Sequence, residues 1–377
     1  MKDLFFYGTL RHLPLLEIVL GCDVQGLDLH EATLGDHAIY GVAEGPFPTI
    51  VAEPGGRADG VLLRGLTPEQ VARLDFYEGG FAYDLALVRL ADGSSAEVYF
   101  PQPGLWHPAA PWSLAQWERD WAALSCHAAR EVMGYFGKRD RAEVARMFPM
   151  IRARAAAKVA ARQSRHGAGT LQGRVEIASV ERVYANFFAL DEYHLSHERF
   201  DGSMSETVER AVFIGTDAAI VLPYDPGRDR VLLVEQMRMG PLARGDRALW
   251  HLEPVAGRVD PGETPEQCAH REAFEEAGLR FDRLENIAEV YASPGSATDF
   301  FHIFLGLTDL PDDVTGIRGM DGEHEDIRSH LFDFEALMEL CDAREAADAP
   351  LVLSAYWLAR HRERLRLDWG KATSEAS

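Results

Sequence analysis

The sequence predicts a mixed α and β protein, α+β in its N-terminal part and α/β in its C-terminal part. Three observations carry this. Short apolar runs broken by Gly and Pro turns fill roughly the first hundred residues. Helical 3–4 spacing of apolar residues dominates the middle. Two buried strand-like runs, Ala218–Leu222 and Val231–Glu235, precede a Gly-rich loop that opens into a strongly capped helix. The 377 residues exceed one typical domain of ~100–200 residues, so two or three domains are expected. The expected division is 1–104, 105–172 and 173–372.

Bulk properties exclude several classes. Hydrophobic residues make up 47% of the chain, enough for a sizeable core. The formal charge of -22 argues against nucleic acid as a partner, because phosphates are bound by local positive charge. An anionic substrate would then need nearby Arg, Lys or a metal ion. The cysteines Cys22, Cys126, Cys268 and Cys341 are scattered without a CxxC pair, which fits reduced thiols rather than disulfides or zinc. No apolar run of 18 residues is present and the N-terminus lacks a long apolar stretch. A soluble cytoplasmic protein with no membrane partner is expected.

In order along the chain, Leu4–Tyr7 reads as a buried strand ending at Gly8. Strand-like segments follow around Ala38–Val42, Gly60–Arg64, Leu85–Leu90 and Ala96–Phe100. Thr67, Pro68 and Gln70 form a capping box that starts a helix ending near Glu78. Trp106, Trp112, Trp117 and Trp121 cluster next, and a helix is expected from Ser113. A second helical run is expected over Met150–Gln163. Bases outnumber acids between Arg130 and Arg165, which reads as a helical connector with a solvated basic face. Ser164–Gly169 reads as a hinge. Ile177–Phe187 and Leu190–Ser196 then read as strands.

The most informative stretch is Gly257–Leu279. Thr264 caps a helix, Pro265 opens it, Gln267 closes the capping box and Gly278 ends it. Ala269, Ala273 and Ala277 form a packable stripe. Glu272 and Glu276 share one face with Glu275 beside them. Glu275 and Glu276 sit in the last turn, where the helix dipole favours cations. Glu272 and Glu276 repel as an i,i+4 pair by about 0.2–0.5 kcal/mol. A hard divalent cation on carboxylate oxygens is the simplest compensation. His194, His197, His251 and His302 lack HxxH or HExxH spacing and read as structural.

Gly257, five residues, Glu263, seven residues, Arg271-Glu272, Glu275-Glu276 and Gly278-Leu279 together resemble the Nudix box. Ala273 stands where that family usually has a larger aliphatic. Glu235-Gln236-x-Arg238, Glu253–Gly257, Ser293-Pro294-Gly295 and Asp321–Ile327 extend the likeness. The set resembles the ADP-ribose pyrophosphatase branch of the Nudix hydrolases. The resemblance implies an α/β/α sandwich, a homodimer, and Mg²⁺ or Mn²⁺ held by Glu272, Glu276, Glu325 and the Ala256 carbonyl. It implies Glu323 as the base that activates water, with Glu275 as a further catalytic candidate. Arg238 would contact the nucleotide or its phosphates, and Pro294 and Asp299 would border the substrate. Asp299 stands where that branch often has Glu. Gly257, Glu263 and Arg271 would hold the loop and helix together. The implied reaction is hydrolysis of ADP-ribose to AMP and ribose 5-phosphate. Another nucleoside diphosphate-sugar is the alternative substrate.

Near the N-terminus, Phe6-Tyr7-Gly8-Thr9-Leu10 and Leu74-Asp75-x-x-Glu78-Gly79, with Tyr83 downstream, resemble the gamma-glutamylcyclotransferase-like (AIG2-like) family. That likeness implies a β-barrel with helices. Tyr7, Gly8, Thr9 and Leu10 would bind substrate through backbone groups, and Glu78 would act as general acid/base on a gamma-glutamyl compound. The pairing of the two domains also resembles proteins linked to tellurite resistance. A nucleotide-sensing stress-resistance factor is therefore the competing expectation, against which the complete carboxylate set argues.

Overall fold

The structure is a computed structural model that describes residues 1–79, 83–163, 167–319 and 325–375, with backbone alone for 372–375. The chain divides into two compact units, Met1–Ala168 and Gly169–Ser377.

Unit 1 contains β1 (Lys2–Phe6), a 3-10 turn (Thr9–Arg11), α1 (Leu13–Leu20), β2 (Asp28–Val42), β3 (Gly45–Leu66) and α2 (Pro68–Glu78). Then come β4 (Tyr83–Arg89), β5 (Ser95–Pro101), β6 (Pro108–Pro111), α3 (Leu114–Gly134) and α4 (Arg141–Gln163). The strands form a six-stranded sheet in the order β4-β5-β1-β3-β2-β6. Strand β1 pairs antiparallel with β3 and parallel with β5, Leu4 facing Glu97. Phe5, Tyr7, Ile50, Leu62 and Val98 form its apolar core.

Two elements run longer than the sequence pattern implies. Strands β2 and β3 make one long hairpin where short strands are expected. The Gly and Pro residues that read as turns lie inside it. A bulge between Gly35 and His37 puts Asp36 and Gly55 at positive φ (53° and 78°), and the Gly55 N–H donates to Asp36 Oδ1 at 2.8 Å. The ladder bends there and resumes. Helix α4 likewise begins nine residues before the expected Met150 and passes through Pro149. Buried Val144, Met147 and Ile151 anchor it on both sides of the proline, and such packing offsets the lost hydrogen bond. Capping chemistry is legible throughout. The Gln70 N–H donates to Thr67 Oγ1 at 3.2 Å and the Thr67 N–H to Gln70 Oε1 at 2.9 Å. Ser113 caps α3 through the Gln116 N–H. Helix α3 packs on α1, α2 and α4, and Arg154, buried on α4, donates to both Glu131 oxygens on α3.

Unit 2 contains β7 (Val175–Ala185), β8 (Ala189–His197), β9 (Val208–Ile214), β10 (Asp217–Asp225), β11 (Arg230–Met237), α5 (Met239–Arg244), β12 (Trp250–Glu253) and β13 (Val255–Arg258). It continues with α6 (Pro265–Ala277), β14 (Arg283–Tyr291), β15 (Phe300–Leu307), β16 (Ile317–Arg318), β17 (Ile327–Asp333), α7 (Phe334–Asp342) and α8 (Ala349–Glu375). Its main sheet runs β14-β15-β10-β11-β17-β16, with β12 on β11 and β13 on β10. Strands β7, β8 and β9 form a separate three-stranded sheet.

Alternate residues of the central strands serve opposite faces, as a period of two requires. Ala219, Val221, Leu232 and Val234 pack with Ala269, Ala273 and Ala277 of α6. Leu222, Tyr224, Val231 and Leu233 pack with Phe334, Leu337, Leu351 and Leu358 of α7 and α8. The result is an α/β/α sandwich whose central strands are apolar on both sides. Each fully buried Leu or Val contributes roughly 1.5–3 kcal/mol. Among the described residues, no helix is long and apolar enough to cross a membrane.

Candidate functional site

The site of unit 2 grows from the loop between β13 and α6. Strand β13 is pinned to β10, Ala256 opposite Ile220 and Gly257 opposite Ala219. Thr264 and Gln267 close the capping box, and Gly278 ends α6 at φ 68°, a left-handed conformation that suits glycine. The alanine stripe is fully buried against the sheet. This fixes the opposite, acidic side of α6 toward β13.

Arg271 ties loop to helix. Its Nε and Nη2 donate to the two oxygens of Glu263 at 3.0 and 2.9 Å. Nη1 donates to Glu272 Oε1 at 2.6 Å and Glu275 Oε2 at 3.1 Å, and Nη2 also to the Arg258 carbonyl at 3.0 Å. All five guanidinium donors are thereby used. Glu263 Oε2 in turn accepts from the Asp260 N–H at 3.2 Å and is held below the usual carboxylate range by Arg271, against the opposing effect of burial. Glycine at 257 lets the Glu272 carboxylate lie against β13, since a Cβ there would fall 1.8 Å from Glu272 Oε1 and push that side chain aside.

Glu276 is buried, 3% exposed. Its Oε2 accepts from the Ala256 N–H at 3.3 Å. Burial, then the charge of Glu272, then that of Glu325, push its carboxyl up to about 8. Burial likewise raises Glu272, with Glu275 and Glu325 adding repulsion. Glu325 therefore lies within electrostatic reach of both box carboxylates. Glu323 lies outside the described residues.

A hard cation suits this donor set chemically: oxygen ligands, carboxylates repelling one another, and an acid buried against a single N–H. Among the described residues no group of three or more His, Cys, Asp or Glu side chains stands ready to hold a metal ion. Arg271 draws Glu272 and Glu275 to itself instead.

Beside the loop is a cavity of about 470 Å³ lined by Arg238, His251, Glu253, Ala256, Gly257 and Asp348 among others. Arg238 is set by Glu253, Nε donating to both oxygens at 3.0 and 2.9 Å. Asp348 is pushed up to about 6 by burial, with Glu253 adding to it. Glu253 stands in a stretch that extends the family likeness, but its pairing with Arg238 has no signal in the sequence, and Asp348 has none at all. Glu253 is 15 residues from Arg238 and Asp348 is 95 residues from Glu253, so only the fold brings them together. Pro294 and Asp299 do not line this cavity. Pro294 is exposed, and the half-buried Asp299 packs against Gly215, where a Cβ would meet its Oδ1 at 2.2 Å. Of the four histidines, His302 sits 3.5 Å from Asp217, His194 3.9 Å from Glu209, and His197 3.1 Å from the Glu198 carbonyl. His251 meets the Ala248 carbonyl at 3.3 Å and also lines the cavity.

Unit 1 gathers its own candidates. Tyr7, Gly8, Thr9, Leu10 and Glu78 all line one cavity of about 120 Å³, and Tyr83 lines it too. The turn after β1 is tight, the Arg11 N–H donating to the Gly8 carbonyl at 3.1 Å. Glu78 ends α2, half-buried, and lines the cavity. Burial raises its carboxyl to about 7, which suits proton transfer near neutral pH.

That shift makes a prediction. The folded pKa lies above the ordinary value, so the ionised carboxylate is what burial penalises. The stability tied to the neutral form is complete below about 4.5 and is lost as pH rises through about 7. Glu78→Gln has no charge to bury. It should unfold like the wild type below pH 4.5 and become more stable by roughly 1–3 kcal/mol at pH 8. Urea unfolding of unit 1 across this range is the measurement; a pH-independent difference would exclude a raised Glu78.

Comparison with known proteins assigns two segments of the chain to families. Residues 215–353 match the NUDIX domain family, and residues 4–122 match the family described as gamma-glutamyl cyclotransferase, AIG2-like. An ADP-ribose pyrophosphatase of Escherichia coli strain K12 is 38% identical over 195 residues, 52% of this chain and 92% of the relative. An ADP-ribose pyrophosphatase of Haemophilus influenzae is 34% identical, covering 53% of this chain and 93% of the relative. A GDP-mannose pyrophosphatase of Yersinia pestis is 28% identical, covering 48% and 91%. With likeness to these enzymes across nearly their whole length, and with the box loop folded onto its carboxylate helix, the chain belongs to the Nudix hydrolases.

Proposed function

We propose that unit 2 hydrolyses the diphosphate of ADP-ribose to AMP and ribose 5-phosphate. The observation that carries this is the set of mutually repelling carboxylates, Glu272, Glu276 and Glu325, beside a cavity furnished with Arg238. Glu272, Glu276, Glu325 and the Ala256 carbonyl would hold Mg²⁺ (or Mn²⁺). When bound, the ion would neutralise charge developing on the diphosphate and acidify a water molecule.

The remaining work falls to side chains. Arg238, oriented by Glu253, binds the nucleotide or its phosphates. Glu323 accepts the proton of the attacking water, and Glu275 is the alternative base. Gly257, Glu263 and Arg271 hold the loop at the distance the helix requires. Pro294 and Asp299 would act at the sugar end. A cytoplasmic homodimer is part of the same reading. Val175, Ile177, Val180, Val183 and Phe187 leave an apolar surface on and beside β7, the kind of patch that marks an interface.

A GDP-sugar is the second reading, favoured by the Yersinia relative, which is named for GDP-mannose. Nucleoside diphosphate-X compounds assayed with Mg²⁺ and scored by product mass decide between them. ADP-ribose should give AMP with the highest kcat/KM. A larger value for a GDP-sugar would replace the first reading by the second, and no turnover of any member would favour a nucleotide sensor. For unit 1 we propose action on a gamma-glutamyl compound, with Glu78 as acid/base and Tyr7, Gly8, Thr9 and Leu10 binding substrate.

A further inference from the structure

One ion pair fixes the register of the last two helices of unit 1. Arg154 on α4 donates to both oxygens of Glu131 on α3. Helix α3 ends at Gly134 and α4 begins at Arg141, and so short a connection makes the two antiparallel. One turn back along α3 from Glu131 lies His127, and one turn forward along α4 from Arg154 lies Lys158. The same seam therefore brings His127 and Lys158 together. Arg130 is three residues from His127 and Arg162 four from Lys158, so each neighbours them on its own helix. His127 is half-buried, whereas Arg130, Lys158 and Arg162 are exposed. Burial, then Arg162, Arg130 and Lys158, hold the imidazole below its ordinary value, so all three cations are within electrostatic reach of it.

No carboxylate answers this cluster. Helix α4 carries no Asp or Glu after Glu143, and Glu131 is taken by Arg154. Among the described residues, Arg130, Lys158 and Arg162 form no ion pair. Lys158 and Arg162 repel as an i,i+4 pair, in a chain whose net charge is -22. The cluster is also compact. Arg154 is buried and spent on Glu131, and Arg152 lines the cavity with Glu78. The uncompensated charge therefore does not continue along α4 as the strip that a nucleic acid or an acidic chain would require.

We propose that His127, Arg130, Lys158 and Arg162 form a binding site for the phosphate group of a small molecule. A phosphate brings roughly two charges and three strong acceptor oxygens, enough to offset several cations at once. A carboxylate brings one charge and would leave the remaining cations repelling. Inorganic phosphate and sugar phosphates share this chemistry. The site is independent of the reactions proposed for the two units.

The test reads the His127 ring by NMR in the full chain, in chelator and at constant ionic strength, with the His127→Gln spectrum assigning the signal. Replacing chloride by sulfate, a dianion that does not titrate near neutral pH, should raise the His127 midpoint by about one unit, because an adjacent opposite charge favours the imidazolium. Lys158→Gln combined with Arg162→Gln should raise the midpoint in chloride, since two repelling cations are gone, and should abolish the response to sulfate. Both side chains are exposed, so the fold should hold; Lys158→Gln alone should give about half of each effect and serves if the double variant does not fold. Isothermal titration at about pH 8 then separates the sources. Equal affinity for orthophosphate and ribose 5-phosphate identifies the free anion as the ligand, and tighter binding of ribose 5-phosphate identifies a sugar phosphate. Either should weaken at least about tenfold in the double variant. A wild-type His127 that ignores sulfate, or a response that persists in the double variant, overturns the proposal. So does phosphate binding that the double variant leaves unchanged.

Discussion

Glu276→Gln should lower Mg²⁺-dependent turnover by at least roughly two orders of magnitude, the scale of removing one preorganised transition-state contact. It should do so without unfolding the protein. Glutamine keeps the shape, and its amide oxygen can still accept from the Ala256 N–H that now reaches Glu276 Oε2 at 3.3 Å. What disappears is a carboxylate, 3% exposed, that could ionise onto a bound cation. Without metal, burial and the charges of Glu272 and Glu325 push this carboxyl up to about 8, so near pH 7 it is already largely neutral and thermal stability in chelator should be unchanged, rising above the wild type only at pH above about 8. Activity thus falls with no loss of stability, which a packing residue would not do. Near-normal turnover in the folded variant would take Glu276 out of the mechanism, and a large drop in stability would mean that its carboxylate is structural.

The legibility of this site follows from locality. Everything along Gly257–Leu279 acts within one loop and one helix. Caps, the alanine stripe and the acidic face are set by spacing alone, and the structure reproduces Thr264, Gln267 and Gly278 as cap residues. The partners that complete the cavity are different. Glu253 orients Arg238 from a neighbouring strand, and Asp348 arrives just ahead of α8. No periodicity connects such positions, because their proximity is a consequence of sheet order. In unit 1 the long β2–β3 hairpin escapes a local reading for a related reason. Gly55, Gly56 and Pro54 signal a turn, yet pairing with β2 carries the strand past them. Tyr7–Leu10 and Glu78 do come together on one cavity, whereas Phe148 and Arg152 reach it from α4, far along the chain, where no local spacing signals it. Pro294 and Asp299 have a motif position but lie away from the cavity beside Arg238, and Glu323 falls outside the described residues.

Arg271→Met should cost both stability and activity, and this separates it from Glu276→Gln. Arg271 satisfies Glu263, Glu272, Glu275 and the Arg258 carbonyl at once. Methionine replaces much of the aliphatic stem but none of the five donors. Three partly buried carboxylates then lose their shared cation, and the Glu263 side chain no longer ties the loop to α6. Breaking a buried pair costs about 3–5 kcal/mol. Arg271 is 31% exposed in its side chain, so solvent screening reduces this to roughly 2–4 kcal/mol. For a unit of this size that is a fall in Tm of about 5–15 °C. Arg271→Lys should recover only part, because an ammonium cannot serve Glu263 bidentately while reaching Glu272 and Glu275. The decisive comparison is Glu263→Gln combined with Arg271→Met. With the strongest anionic partner neutralised, the pair should destabilise less than the sum of the single changes. Thermal unfolding of the four proteins in chelator measures this coupling. Additive losses, or a wild-type midpoint for Arg271→Met, would show that the loop is held by backbone pairing with β10 and that the guanidinium network contributes little.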